Sequence, residues 1–308
     1  MPEAGKKGKG KGKGWKGKGK GKPKDPFFDV PDLFKQKPVH LEIDFSHCRR
    51  VFTFGDIHGN IGPLKQALKK AEYDPEAGDR MIGLGDWLDR GEDTLKVAKF
   101  IEKHAEDLSF VKGNHEQMLE DAVKPRPNGI EAINLIRNGG AWLIDHLPDN
   151  EEDDLDEHGQ MRLDQDGRRI VAAVCGAPIA ITIKTPKGRR IGFVHGEVPI
   201  VAGLLDWEVF TGVLEEQGPY GELAESAMWE RDEFVRIRSD HAACRKVPAR
   251  DIVQNVDHVF HGHTINKTPI TWGNRSWIDI GSYRRGEVIL ADVDKWAKKH
   301  SDRPSRKA

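Results

Sequence analysis

Three short polar stretches carry residue types suited to holding a cation: Gly55-Asp56-Ile57-His58-Gly59-Asn60, Gly85-Asp86-Trp87-Leu88-Asp89-Arg90-Gly91 and Gly113-Asn114-His115-Glu116. Carboxylates and imidazoles ligate divalent metals and move protons. Residues two apart in extended backbone point the same way, so Asp56 and His58 can grip one ion together. A lone Asp-x-His is weak evidence, because such residues commonly form turns. Three such stretches in register are harder to explain that way. Asp86 follows Asp56 by 30 residues and Asn114 follows Asp86 by 28, close to the roughly 30 residues of a strand–helix–strand unit. Gathering Asp56, Asp86, Asp89, His58 and His115 in one cleft without a cation would carry severe like-charge and desolvation costs. Two later stretches add imidazoles, His195-Gly196 and His261-Gly262-His263-Thr264.

The elements that must position these groups follow from the apolar spacing. Val51–Phe54, Met81–Leu84 and Leu108–Val111 are short apolar runs, each ending in one of the three polar stretches. Helical spacing separates them, over Ile61–Glu72 and again through Leu95, Ala98, Phe100 and Ile101. Strand, helix, strand, helix, strand with tight loops predicts two consecutive βαβ units and a parallel sheet. In such sheets ligands sit outside the carboxyl ends of the strands, which places all three stretches at one edge. Ile179–Lys184 with Arg190–His195, and Ile270–Trp272 with Ser276–Ile280, read as antiparallel hairpins, and Glu287–Val293 as a further strand. The sequence therefore predicts an α/β fold, one domain with two sheets: βαβαβ in the first half and hairpin-rich in the second.

Composition bounds the rest. The 308 residues include eight Trp and twelve Phe, enough for a sizeable core although charged residues reach 32%. Three widely spaced cysteines argue against a disulfide framework or a zinc ribbon. No apolar run approaches the roughly 18 residues of a membrane span, and no N-terminal apolar stretch suggests a secretory signal. A cytoplasmic protein is expected. The net charge of −1 hides an asymmetry: residues 1–24 carry +9 and the remainder −10. Gly5 to Lys24 is an almost strict Gly-Lys alternation broken by Trp15. Residues 1–26 are expected to form a disordered cationic tail, either merely solvated or binding polyanions non-specifically. Residues 27–297 would form the folded domain. Asp149–Glu157 holds seven acids in nine residues, and a solvated loop insertion is expected over about 149–168. A short basic tail is expected over 298–308.

Taken together, GDIHGN, GDWLDRG, GNHE, VHG and HGHT resemble the phosphoprotein phosphatase family of calcineurin-like binuclear metallophosphoesterases. The likeness is to its short bacterial and phage-type serine/threonine phosphatase branch, in family order over roughly Val51–Val293. The resemblance implies a β-sandwich of two mixed sheets flanked by helices. It also implies that Asp56, His58 and Asp86 hold one metal, and that Asp86 bridges to a second completed by Asn114, His195 and His263. His115 would then be the general acid, oriented by Asp89, while Arg90 and Arg231 would bind the phosphate. Mixed carboxylate, amide and imidazole ligands suit manganese first, with iron or zinc next, better than magnesium or calcium.

Two ions about 3.5–4 Å apart can share a water and lower its pKa from about 15.7 towards 7. A metal-bridging hydroxide would then attack phosphorus directly, without a phosphoenzyme. The expected activity is hydrolysis of phosphoserine and phosphothreonine, with phosphotyrosine and small phosphoesters also accepted. The alternative is a phosphatase of nucleic-acid ends or of nucleoside and dinucleoside polyphosphates, motivated by the Lys-rich tail. Against it, diadenosine-tetraphosphate hydrolases of this superfamily typically carry Gln where His58 stands. A non-catalytic module tethered to polyanions by the tail conflicts with the intact ligand set. His261 is the closest to a supporting role among the remaining histidines, and the eight outside the motifs are expected to be surface or packing groups.

Overall fold

Alternation along the buried strands decides which face meets which layer. Met81 turns towards Phe54, Trp87 and a set of helix side chains, whereas its neighbour Ile82 turns towards Val51, Ile181 and Phe193. The computed structural model describes residues 38–124, 129–149 and 161–301. In chain order it forms β1 (His40–Asp44), β2 (Arg50–Phe54), α1 (Gly62–Lys70), β3 (Asp79–Gly83), α2 (Thr94–Lys103), β4 (Leu108–Phe110), α3 (Asn114–Val123) and α4 (Ile130–Leu135). A π turn over Ile136–Gly140 and a 3-10 turn over Ala141–His146 follow. Then come α5 (Gln165–Val174), β5 (Ala180–Lys184), β6 (Arg190–Val194), α6 (Trp207–Gln217), α7 (Glu222–Trp229) and α8 (Asp232–Ala242). The chain finishes with β7 (His258–His261), β8 (Ile270–Trp272), β9 (Arg275–Trp277), α9 (Ser282–Arg285), β10 (Leu290–Asp292) and α10 (Val293–Ser301).

Two mixed sheets face each other. One has the order β10-β2-β3-β4, with β2, β3 and β4 parallel as the βαβ spacing predicts. The other has the order β1-β5-β6-β7-β9-β8, and both hairpins, β5/β6 and β8/β9, are antiparallel. Val51, Ile82, Leu84 and Val111 meet Ile183, Ile191, Phe193 and Phe260 between the sheets. Leu64, Val97, Leu119 and Ile170 bring α1, α2, α3 and α5 onto the outer face of the smaller sheet. Phe210, Leu214, Ala224 and Ala227 bring α6 and α7 onto the larger one. Trp87, inside the second polar stretch, is fully buried and edge-on to Phe54 and Phe110, so it is a packing group.

Several elements differ from the sequence expectation. β1, which pairs parallel to β5, and helices α5 to α8 were not anticipated. The stretch 149–168 is not a loop throughout: α5 begins at Gln165, capped by the Asp164 carboxylate accepting from the Gly167 N–H at 2.7 Å. The boundary drawn at residue 298 falls within α10, which runs to Ser301. The expectations for residues 1–26, 150–160 and 302–308 lie outside the described residues. Among the described residues, no helix is long and apolar enough to cross a membrane.

The start of β3 is tied to β2 by charge. The buried Asp79 carboxylate accepts from Arg49 (2.8 and 2.5 Å), from Arg50 (3.1 and 2.6 Å) and from the Asp74 N–H (3.0 Å). Burial pushes this carboxyl up, but the two guanidiniums outweigh it and hold it well below the ordinary carboxylate range. A depressed folded-state pKa contributes stability above the unfolded value of about 3.9 and loses it as pH falls towards the folded one. Asp79→Asn is therefore expected to cost about 3 kcal/mol at neutral pH. Urea unfolding should show that deficit shrinking below about pH 4; a deficit constant with pH would contradict the assignment.

Candidate active site

The polar stretches meet where strands from both sheets end. Ile57 and His58 donate their N–H groups to the Asp86 carbonyl (3.1 and 2.9 Å), joining the loops after β2 and β3. Gly262 N–H donates to the His195 carbonyl at 3.0 Å, joining the loops after β6 and β7. Bonds also cross between the sheets, among them that from His263 N–H to Asp56 Oδ1 at 3.0 Å. The turns are tight. Five of the nine non-glycine residues with positive φ among the described residues are His58, Asp86, Asp89, Arg90 and His263. Each such residue costs roughly 1–2 kcal/mol, and surrounding bonds must hold it. Close approach also dictates two glycines. A Cβ at Gly113 would lie 2.2 Å from Asp86 Oδ1, and one at Gly262 would lie 2.4 Å from Asp56 Oδ1.

Two groups of potential ligands share one carboxylate. His58, Asp86 and His115 form one, and Asp86, His195 and His263 the other, all buried. Asp56 Oδ2 lies 3.8 Å from His58 Nε2, beside the first group, and Asn114 Oδ1 lies 3.1 Å from His195 Nε2, in the second. Backbone carbonyls fix the imidazole tautomers from outside. His58 Nδ1 donates to Leu88 O (3.1 Å), His195 Nδ1 to Leu84 O (2.5 Å) and His263 Nε2 to Trp229 O (3.0 Å). The opposite ring nitrogens then turn lone pairs inward. His195 Nε2 faces Asn114 Oδ1, His263 Nδ1 (3.1 Å) and Asp86 Oδ1 (3.3 Å), all acceptors. A proton on His195 Nε2 or a cation among them reconciles that contact. The donor set thus fits divalent cations.

The electrostatics carry the same message. Burial raises the Asp56 carboxyl well above its ordinary range, with the neighbouring Asp279 and Asp86 carboxylates adding to it. Burial lowers His58 to about 3 and His263 to about 2. Burial also opposes a proton on His195, but the adjacent Asp86 carboxylate outweighs it and lifts that imidazole to about 10. For Asp86 burial is overcome by His195 and His115, and its carboxyl falls well below the ordinary range. Guanidinium groups already reach the inward lone pairs: Arg90 donates to His58 Nε2 (2.7 Å) and His115 Nε2 (2.9 Å), and Arg231 to His263 Nδ1 (3.4 Å). His115 Nδ1 donates to Asp89 Oδ2 at 2.5 Å.

All ten site residues named from the sequence therefore converge. His261 does not join them; its Nδ1 donates to Gly196 O (2.8 Å) and its ring stacks on Trp277. The sequence reading missed the supports. Glu116 accepts N–H bonds from Asp86 and Trp87 (both 2.8 Å) and from Gly113 (2.9 Å), clamping two loops. Trp142 Nε1 donates to Asp89 Oδ1 (2.8 Å), and Gly139 O accepts from Arg90 N–H (3.1 Å). Glu197 accepts from Glu233 and Phe234 N–H (3.2 and 2.5 Å), so it caps α8 just after Arg231. The stretch Asp279 to Arg284 ends the apolar run Ser276–Ile280 and runs on past it, and the strand-end logic could have found it. There Tyr283 and Arg284 line the same cavity as Asp86, Asn114 and Arg231, about 320 Å³ in volume.

Comparison with known proteins agrees with this geometry. The family model described as calcineurin-like phosphoesterase matches residues 49–267, and the chain belongs to that family of metal-dependent phosphatases. It is 22% identical to the serine/threonine-protein phosphatase 1 of Salmonella typhimurium over 261 residues, 85% of this chain and 100% of that protein. It is 31% identical to the serine/threonine-protein phosphatase 2 of Escherichia coli over 254 residues, 82% of this chain and 97% of that protein. A symmetrical bis(5'-nucleosyl)-tetraphosphatase of Pseudomonas fluorescens is 28% identical over 183 residues, covering 59% of this chain and 58% of that protein.

The close approach at Gly113 yields a test. Gly113→Ala should leave the circular-dichroism spectrum unchanged while displacing Asp86. Turnover of p-nitrophenyl phosphate should fall about 10²-fold. Unchanged turnover in steady-state assays would mean that the position of Asp86 does not matter.

Proposed function

We propose that the protein hydrolyses phosphoserine and phosphothreonine in proteins, and accepts phosphotyrosine and small phosphoesters as well. In this reading Asp56, His58 and Asp86 hold one divalent cation, and Asp86, Asn114, His195 and His263 a second, with manganese the first choice for both. Held there, the two cations supply an acidified water for attack and neutralise phosphate charge. Arg90 and Arg231 orient the equatorial phosphate oxygens through forked N–H donors.

The observation that carries the reading is the His115–Asp89 pair, 2.5 Å apart, with His115 Nε2 3.9 Å from the shared Asp86. Burial alone would drive the proton from His115, but the Asp86 and Asp89 carboxylates outweigh it and raise its pKa above the ordinary imidazole value. Nε2, which accepts from Arg90 here, would carry the proton passed to the departing oxygen once substrate draws Arg90 away. Serine and threonine alkoxides need that help; aryl oxides and phosphoanhydride leaving groups need it far less. The 31% identity to the Escherichia coli protein points the same way. A second reading, hydrolysis of dinucleoside polyphosphates, is favoured by the likeness to the Pseudomonas fluorescens protein.

One panel with Mn²⁺ separates them: a phosphoserine peptide, p-nitrophenyl phosphate, a 3'-phosphorylated oligonucleotide and diadenosine tetraphosphate, each with wild type and His115→Asn. The phosphopeptide should be preferred over both nucleic-acid-type substrates. His115→Asn should slow the peptide about 10²–10³-fold and the aryl ester less than about tenfold. Preference for either nucleic-acid-type substrate would overturn the reading, and equal losses on both esters would remove His115 as the acid.

A further inference from the structure

The short helix α9 supplies two residues to the cleft wall, Tyr283 and Arg284. Its backbone is pinned. Gly281 N–H donates to Asp279 Oδ1 (2.8 Å), and Gly281 O accepts from the N–H groups of Arg284 and Arg285 (3.0 and 3.1 Å). The Arg285 guanidinium donates to Lys267 O at 2.7 Å, tying α9 to the loop after His263. The neighbouring Arg284 side chain stays exposed on the cleft.

Tyr283 gathers charge around its ring. The guanidinium carbon of Arg90 lies 5.2 Å from the ring centroid and that of Arg284 lies 5.1 Å from it, while the His58 ring meets it edge-on. The two guanidinium carbons are therefore at most about 10 Å apart. Their commitments differ. Arg90 donates to His58 and His115, and Arg231 donates to His263. Among the described residues no carboxylate pairs with Arg284; its guanidinium only lies over Tyr283. The one carboxylate among the described residues lining this cleft is Asp86, which is buried and already faces three imidazoles. A phosphate monoester oriented by Arg90 and Arg231 thus leaves a third guanidinium without an anion.

We propose that Arg284 forms an anion subsite beside the reacting phosphate, and that it receives an acidic side chain flanking the phosphorylated residue of the protein substrate. This deepens the phosphoprotein reading and rests on it. A guanidinium fork offers a carboxylate two parallel N–H donors. Tyr283 supports the flat face of that fork, which leaves its edge free to donate. A separation of at most about 10 Å is covered by about three extended residues. The acidic residue therefore lies within about three positions of the phosphorylated one. A lysine or arginine there would meet like charge instead. A polyphosphate chain carries anions of the same kind, so a dinucleoside polyphosphate belongs in the test.

The test compares kcat/KM, with Mn²⁺, for phosphoserine peptides carrying Glu, Gln or Lys at each position from three before to three after the phosphoserine. p-Nitrophenyl phosphate and diadenosine tetraphosphate run beside them, on wild type, Arg284→Ala, Arg284→Glu and Arg284→Lys. The quantity compared is the Glu-to-Lys ratio within each variant, which cancels any loss common to all substrates. In the wild type that ratio should reach about five- to tenfold at one or more positions and shrink as salt is raised. Arg284→Ala should cut it about threefold or more, Arg284→Glu should abolish or invert it, and Arg284→Lys should keep part of it. Equal turnover of Glu, Gln and Lys peptides at every position by the wild type overturns the subsite and leaves the phosphoprotein reading standing. So does a ratio unchanged in Arg284→Glu, or a loss in Arg284→Ala that is equal for the Glu peptide, the Lys peptide and the aryl ester. Hydrolysis of diadenosine tetraphosphate with no peptide turnover removes the phosphoprotein reading itself, and the acidic side chain at Arg284 with it.

Discussion

The whole site turns on one buried carboxylate. Asp86 faces His58, His115 and His195 at 3.5, 3.9 and 3.3 Å, and it belongs to both ligand groups. Asp56 and Asp279 crowd the same space, and burial drives both carboxyls up, Asp279 to about 6. Three acids this close in a dry setting are tolerable only with positive charge among them. Two guanidiniums reach towards that space from the surface side. The inward lone pairs of His58 and His263 show where further cations fit, and His195 joins them once a cation displaces its proton. Two cations joined through Asp86 would settle charge balance and nucleophile activation with the same atoms.

Holding that carboxylate in place demands expensive backbone. Asp86 itself, and His58, Asp89, Arg90 and His263 around it, sit in the left-handed region. The surroundings over-determine each turn. Glu116 clamps the backbone of Asp86 from below, and the His115 N–H donates to Asp86 Oδ1 at 3.1 Å. Trp142 and Gly139, from the turns after α4, fix Asp89 and Arg90 from the side. Glu197 ties the α8 start, and with it Arg231, to the loop that carries His195. Strain at the chemistry is thus matched by hydrogen bonds drawn from both sheets and from the helices between them.

What the sequence made legible was local. Each of the three early polar stretches follows an apolar run, so strand ends, the parallel sheet and the meeting of Asp56, Asp86 and Asn114 could be read from spacing, while the resemblance supplied His195 and His263. The supports could not. Trp142 reaches Asp89 across 53 residues and Glu197 reaches Phe234 across 37, and no periodicity encodes either contact. Gly139, whose carbonyl holds Arg90, lies in none of the polar stretches that the spacing singles out. Helices α6 to α8 escaped because their apolar stripes, such as Phe210 with Leu214, are short and take meaning only against the larger sheet. His261 shares the facing of His263 by spacing, yet the positive φ at His263 sends the two side chains apart.

The claim that one carboxylate joins two cation sites is tested most directly by metal stoichiometry. Full-length wild type and Asp86→Asn would be loaded with Mn²⁺, dialysed, and assayed by elemental analysis. Two ions per chain in the wild type, and loss of both together on removing the single charge of Asp86, is the predicted result. Two ions retained by Asp86→Asn would contradict the account.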